Sequence, residues 1–253
     1  MSMFCYQCEQ TTKGTGCVAA GACGKDATTA TLQDVLLHVT KGISMYASRA
    51  ARLGARDREI DVFTIEALFT TVTNVNFNPA SVEAMIGRAA AMRDRAKKLY
   101  ENACAKAGKT PETLLGPAAF KPANGIEGLV RQGLEFSILS RSANLGADLT
   151  GVQELITYGL KGAAAYADHA QILGREDDAL GEAPPLAGVN PIDDAFVLAG
   201  AGERIDSILK EYASVGFSGC LFLYRDGIVV LHEAYGAADP GRGIDNTVGT
   251  LFP

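Results

Sequence analysis

The chain has 253 residues, 47% of them hydrophobic and 21% charged, with a formal net charge of -6. That length carries one large core or two small ones, and no apolar run approaches the roughly 20 residues that cross a bilayer. The acid excess lies in the last third, where residues 179–253 hold ten acidic against four basic side chains. Neither part has the basic surface of a nucleic-acid binder, so nucleic acid and membrane are not expected partners.

In chain order the first feature is chemical. Four of the six cysteines are Cys5, Cys8, Cys17 and Cys23, spaced C-x2-C-x8-C-x5-C. Four soft thiolates in reach of one centre select an iron–sulfur cluster, zinc or copper. Gly14, Gly16, Gly21 and Gly24 flank the later two and let the chain wrap with backbone N–H groups aimed at sulfur. A structural zinc knot is the competing reading. Its signature is two close pairs separated by a longer gap, whereas here Cys5 and Cys8 pair closely and Cys17 and Cys23 are staggered. Disulfides are disfavoured because the N-terminus lacks a basic region followed by an apolar stretch and a small-residue cleavage site, which also makes the cytoplasm the expected location. Phe4 and Tyr6 fit equally a shield for such a centre or plain packing of the N-terminal loop, and Lys13 and Lys25 read as solvated loop lysines that could offset its charge or dock an electron donor.

Helical periodicity follows over Thr31 to Gly54, with Leu32, Val35, Leu36, Val39, Ile43, Tyr46, Ala47, Ala50 and Leu53 on one broad face and Gly54 as the stop. Further helices are expected at about 60–74, 80–108 (after the Asn78-Pro79 breaker), 125–145 and 150–174. Sliding residues 32–57 by 120 positions onto 152–177 reveals a repeat, K-G-x3-Y-A-x2-A-x2-L-G. It pairs Lys41-Gly42 with Lys161-Gly162, Tyr46-Ala47 with Tyr166-Ala167, Ala50 with Ala170 and Leu53-Gly54 with Leu173-Gly174. Two related helical bundles stacked in one mainly α domain account for it, although convergent close helix packing would leave the same trace. Cys104 reads as a small buried apolar residue, and His38 and His169 as structural histidines on the repeated helices.

Beyond Asp178 the pattern changes. Residues 179–200 read as a linker, and about 201–214 as a short helix. Phe217 to Tyr224 and Ile228 to Tyr235 flank Arg225-Asp226-Gly227, a hairpin signal. Cys220 falls on the first of these strands and His232 on the second. The expected architecture is therefore mainly α: a cysteine-rich segment (1–30), a helical-bundle domain (31–178) with the internal repeat, a linker (179–200) and a short α+β tail (201–253).

Residues 3 to 178 resemble the hybrid-cluster protein family, also called hydroxylamine reductases or prismane proteins. The resemblance rests on Phe4-Cys5-Tyr6-Gln7-Cys8-Glu9-Gln10, Lys13-Gly14-Thr15-Gly16-Cys17, Cys23-Gly24-Lys25 and both Lys-Gly…Tyr-Ala helices. It implies that Cys5, Cys8, Cys17 and Cys23 hold a [4Fe-4S] cluster, the spacing resembling that subgroup rather than the [2Fe-2S] one. It further implies an external redox donor and, in the intact family, reduction of hydroxylamine to ammonia or of nitric oxide at a second, hybrid iron–sulfur–oxygen cluster. The ligands of that second cluster, a histidine, glutamates and several cysteines, come from later domains. Past Asp178 the only cysteine is Cys220 and the only histidine is His232, with no later cysteine pair, so the hybrid cluster is not expected to bind here and this chain alone is expected to be inactive.

The tail resembles the beginning of serine beta-lactamase-like hydrolases, in Ile205-Asp206, Gly216-Phe217-Ser218-Gly219, Tyr224-Arg225-Asp226-Gly227, Tyr235-Gly236, Asp239, Asn246-Thr247 and Thr250-Leu251-Phe252-Pro253. In that family the nucleophile follows shortly afterwards as S-x-x-K at a helix start. The S-x-x-K here, Ser207 to Lys210, precedes the first strand and is taken as coincidental. The two resemblances together make a chimaeric or truncated reading frame the expected origin of the chain. Three functions remain open at this point: an iron–sulfur electron-transfer domain, a zinc-stabilised helical scaffold without redox role, and a serine hydrolase fragment.

Overall fold

The computed structural model describes residues 3–8, 11–173, 210, 219–225 and 228–247. It separates two units, Met1–Val189 and Asn190–Pro253. The chain is mainly α-helical, with a small antiparallel sheet near its C-terminus.

Helix α1 spans Ala27–Arg52 and starts four residues before the apolar periodicity does, because the Asp26 carboxylate accepts from the Thr29 N–H at 2.6 Å and caps it there. Its C-terminus is a Schellman arrangement. Gly54 takes φ 77°, its N–H donates to the Ala51 carbonyl and the Ala55 N–H reaches back to Ala50. Helix α2 (Arg58–Thr70) is capped by Asp57. Helix α3 (Pro79–Lys106) is capped by Asn78, whose side chain accepts from the N–H groups of Ala80 and Ser81, and Pro79 occupies its first turn, where a missing N–H costs nothing.

The single helix expected over 125–145 is two. Helix α4 (Ile126–Gly133) runs into a 3-10 turn at Leu134–Phe136, and helix α5 (Ile138–Leu145) begins afresh. The break is at Ser137, whose ψ of 153° leaves the helical region while its hydroxyl accepts from the Ser140 N–H as a new N-cap. Helix α6 (Ala147–Ile172) follows Gly146, which takes φ 88°.

The core of the first unit is built on α1. Leu32, Val35, Leu36, Val39 and Ile43 are wholly buried and pack with Ile60 and Phe63 of α2, Val82, Ile86 and Tyr100 of α3, and Leu129 of α4. Helix α1 lies mainly against α3 and α4, and α6 mainly against α2 and α5. Cys104 is buried in α3, as expected of a small apolar residue. The His38 ring stacks on Phe136 with centroids 3.7 Å apart and meets Phe120 edge-on. Burial holds its pKa down at about 4, so the ring is a neutral packing element. His169 meets Phe69 edge-on at 5.4 Å.

The repeat is carried by α1 and α6, each 26 residues long and offset by 120 positions at both ends. Their apolar faces have opposite fates. Val35, Val39, Gly42 and Tyr46 of α1 are buried, whereas their counterparts Leu155, Gly159, Gly162 and Tyr166 of α6 are exposed, Tyr166 to 82%. Gly42 touches the backbone at Pro117, so closely that a Cβ there would fall on the Pro117 carbonyl; Gly162 has nothing within 4 Å. Gly174 lies outside the described residues.

In the second unit, strands β1 (Gly219–Arg225) and β2 (Ile228–Tyr235) form the expected antiparallel hairpin, pairing Gly219 with Tyr235 and Arg225 with Ile228. A bulge separates Leu223 from Tyr224. A second ribbon not anticipated from the sequence joins β3 (Ala237–Asp239) to β4 (Ile244–Asp245), and the Asn246 amide fastens its end by donating to the Tyr235 carbonyl at 2.8 Å. The expected linker at 179–200 and the serine of the S-x-x-K match, Ser207, lie outside the described residues. Of the helix expected over 201–214, Lys210 alone is described, in helical conformation.

The unequal packing of the repeat predicts opposite outcomes for one substitution. Gly42→Ala should destabilise the chain by about 1–3 kcal/mol through overpacking, whereas Gly162→Ala should stabilise it by about 0.5–1 kcal/mol by removing a helix-interior glycine. Urea denaturation of both variants checks this, and equal effects would contradict it.

Between pH 6.5 and about 4 the unfolded chain protonates His38 and the folded chain does not, so this residue makes stability fall as pH falls through that window. His38→Leu should flatten the wild-type stability curve there, by up to about 3 kcal/mol near pH 4 at 1.36 kcal/mol per pKa unit. Parallel curves for the two proteins would refute the neutral ring.

Candidate metal centre

The cysteine segment folds on itself through one backbone bridge. Cys5 and Cys17 exchange N–H to carbonyl bonds at 3.1 and 2.8 Å, and the Met3 N–H adds a third, to Val18, at 3.1 Å. The Thr11 N–H donates to the Cys8 carbonyl and its hydroxyl to the Cys5 carbonyl, drawing the C-x2-C pair back over the same bridge. Glycine makes the wrapping possible at two places. Gly16 takes φ 152° under the Phe4 ring, where a Cβ would stand 2.6 Å from Phe4 Cε2, and a Cβ on Gly21 would stand 3.0 Å from Cys23 Sγ.

All four cysteines are free thiols; Cys17 is buried and the other three are half-buried. Backbone N–H groups point at two of the sulfurs: that of Ala22 at Cys17 Sγ, 3.4 Å away, and that of Gln7 at the Cys5 thiol. Burial raises the Cys5 pKa above its usual value, opposed by the Gln7 N–H and the positive charges of Lys25 and Lys161. Among the described residues, no three His, Cys, Asp or Glu side chains close around a point that a single metal ion could fill. Phe4 meets Tyr6 edge-on at 5.3 Å and Tyr6 meets Tyr158 of α6 at 6.0 Å, so an aromatic wall joins the segment to the helical body.

The two lysines of the segment part company. Lys13 is exposed, at φ 57°. Lys25, read from sequence as solvated, is 4% exposed, with its ammonium donating to Gln33 Oε1 at 2.5 Å. Its long stem lies in the interior and one fixed amide oxygen replaces its water.

Sequence reasoning missed the polar wall behind the cysteines. Helix α6 supplies Gln153, Glu154 and Lys161, and α1 supplies Gln33, Asp34 and Lys41, which are the same positions 120 residues earlier. Extending the slid repeat by its polar positions, Q-[DE]-x6-K-G, would have found them. Arg141 of α5 joins the set, donating to Glu154 Oε1 at 2.5 Å and Gln153 Oε1 at 3.2 Å. Asp34 is pushed up to about 7 by burial, against the pull of Lys161 and Arg141. Lys41 and Lys161 are both lowered to about 8, again chiefly by burial. Lys161 donates to Gln7 Oε1 at 3.0 Å and to the Thr71 carbonyl at 3.3 Å, and Gln7 in turn donates to the same Thr71 carbonyl. This junction fastens the cysteine segment to α2 and α6 at once. Cys220 and His232 lie on the paired strands of the other unit, at registers opposite Ala234 and Phe222.

The family model of the Prismane/CO dehydrogenase family matches residues 3–188. The hydroxylamine reductase of Rhodospirillum rubrum is 52% identical over 178 residues, covering 70% of this chain and 32% of that protein. That of Acidithiobacillus ferrooxidans is 46% identical over 222 residues, 85% of this chain and 38% of its own length, and that of Geobacter sulfurreducens 49% identical over 180 residues, covering 70% and 32%. The chain thus spans about a third of the length of the curated relatives it matches. A match over 85% of the chain is longer than residues 3 to 178 can hold, so similarity to hydroxylamine reductases continues past Asp178, where the sequence reading ended it. The hydrolase resemblance of the tail draws no support from these relatives. No helix among the described residues is long and apolar enough to cross a membrane.

The close seat of Gly16 under Phe4 makes the bridge testable. Gly16→Ala should raise the hydrogen-exchange rates of the Cys5 and Cys17 amides roughly tenfold or more, since local opening then costs less. Unchanged protection would mean that the Phe4 ring turns aside without loosening the segment.

Proposed function

Because the chain belongs to the Prismane/CO dehydrogenase family, we propose that its first unit is an iron–sulfur electron-transfer module. In this reading Cys5, Cys8, Cys17 and Cys23 hold a [4Fe-4S] cluster that serves a hydroxylamine-reducing protein. The observation that carries the proposal is the donor set: four free thiols on one glycine-wrapped segment, two of them already accepting backbone N–H bonds. Those residues fit an anionic cluster, because N–H dipoles aimed at sulfur favour thiolate and raise the potential of the iron they ligate. When bound, the cluster supplies one-electron transfer.

The chain's own residues perform the rest. The Cys5–Cys17 bridge holds two ligands in register, Thr11 draws Cys8 towards them, and Gly21 leaves room for the Cys23 sulfur. Phe4, Tyr6 and Tyr158 keep water from one side, and the half-exposed thiols leave the other side within reach of a redox donor. In this proposal the cysteine-held cluster passes electrons onward, and reduction of hydroxylamine to ammonia takes place at a second centre.

Anaerobic reconstitution with iron and sulfide, followed by metal analysis and EPR of the reduced protein, tests the reading. About four irons per chain and a reduced-state EPR signal are expected, and Cys17→Ser should lose most of both. A colourless protein carrying stoichiometric zinc, or fewer than about three irons per chain against the four of a cubane, would replace the redox reading with a zinc-held scaffold.

A further inference from the structure

Lys161 is 6% exposed, and both of its hydrogen bonds go to neutral oxygens, Gln7 Oε1 and the Thr71 carbonyl. Those partners orient the ammonium without cancelling its charge. It stands behind Gln7, the residue between Cys5 and Cys8 whose N–H bonds the Cys5 thiol, and its charge is felt at that thiol. From this placement we infer that Lys161 is a positioning residue for electron transfer: its buried positive charge sets the reduction potential of the cluster on Cys5, Cys8, Cys17 and Cys23. The inference rests on the cluster reading given above.

The physical reason is a difference between two redox states. One electron arriving from the donor adds one negative charge to the cluster, so a cation nearby stabilises the reduced form more than the oxidised form. Burial withholds the screening that salt and water give a surface lysine. Lys161 Nζ also stands over the Tyr158 ring, 5.7 Å from its centroid, which adds a further contact holding the charge in place. Lys25 lies equally deep, but it is two residues from Cys23, and changing it would disturb a ligand directly.

The repeat supplies the control. Lys41 is the counterpart of Lys161 in α1 and shares with it the carboxylates of Asp34 and Glu154, with Arg141 in addition, but it is absent from the charges felt at Cys5. The same substitution at the two positions therefore separates loss of a buried charge from loss of that charge beside the cysteines.

The experiment is an EPR-monitored redox titration of the reconstituted full chain, with dithionite as reductant and mediator dyes, on wild type, K161Q, K161R and K41Q. Glutamine retains donors for the Gln7 and Thr71 oxygens while removing the charge. K161Q is expected to reduce about tenfold less favourably, a midpoint about 59 mV lower for a one-electron couple, with iron and sulfide content unchanged. K161R and K41Q should stay within about threefold of wild type. An unshifted K161Q with full iron overturns the inference, as does an equal shift in K41Q, which would assign the effect to the helical body at large. A K161Q that folds by circular dichroism but takes up little iron overturns it too, because the lysine would then serve assembly. A wild-type chain that binds no iron defeats the cluster reading itself, a result seen before any variant is compared.

Discussion

One buried ammonium joins the two parts of the first unit. Lys161 leaves α6, crosses to the carbonyl that ends α2 at Thr71, and holds the side chain of Gln7 between its two neighbouring cysteines. Each of these groups would be costly to bury without the others, since an unpaired ammonium or carbonyl in the interior loses its hydration with nothing in return. The cysteine segment is therefore fastened by a polar junction, with the aromatic wall of Phe4, Tyr6 and Tyr158 beside it. Among its described residues the N-terminal loop has only a short 3-10 turn at Thr12–Gly14 and the single Cys5–Cys17 bridge to hold it.

Behind that junction the duplicated helices divide their labour. Their polar positions, Gln33, Asp34 and Lys41 on α1 and Gln153, Glu154 and Lys161 on α6, form one electrostatic neighbourhood with Arg141. Opposite charges are interleaved there, and the two lysines are still held below their usual pKa by burial. Such networks are seldom a net source of stability, because desolvation offsets much of the attraction. Lys161 and Asp34 of this network are felt at the Cys5 thiol, whereas Lys41 is not. The apolar positions of the same two helices diverge instead: α1 is enclosed, and α6 presents Leu155, Tyr166 and Ile172 to solvent.

Much of the local structure was legible from the residues alone. Asn78-Pro79 announced the start of α3, Gly54 the end of α1, and Arg225-Asp226-Gly227 the hairpin, because caps and turns act within a few residues and leave a local signature. The break at Ser137 escaped notice, since the apolar pattern continues through it and only the seat of Gly133 against Thr31 and Val35 of α1 shows how tightly the chain is drawn there. The short ribbon of β3 and β4 was missed for a similar reason: three residues pairing with two carry no periodicity to read.

By itself the sequence determined the donor set, four cysteines at cluster-like spacing among glycines, and the existence of a 120-residue repeat, since both are matters of residue type and interval. The tertiary structure decided which copy of the repeat meets the cysteines, that Lys25 is buried and Lys13 exposed, and that Tyr46 is enclosed while Tyr166 is not. Those outcomes depend on what packs against each helix from distant parts of the chain. Two helices with the same pattern present the same side chains at the same angles, and only their neighbours determine whether a lysine is left in water or held in the interior beside the cysteines.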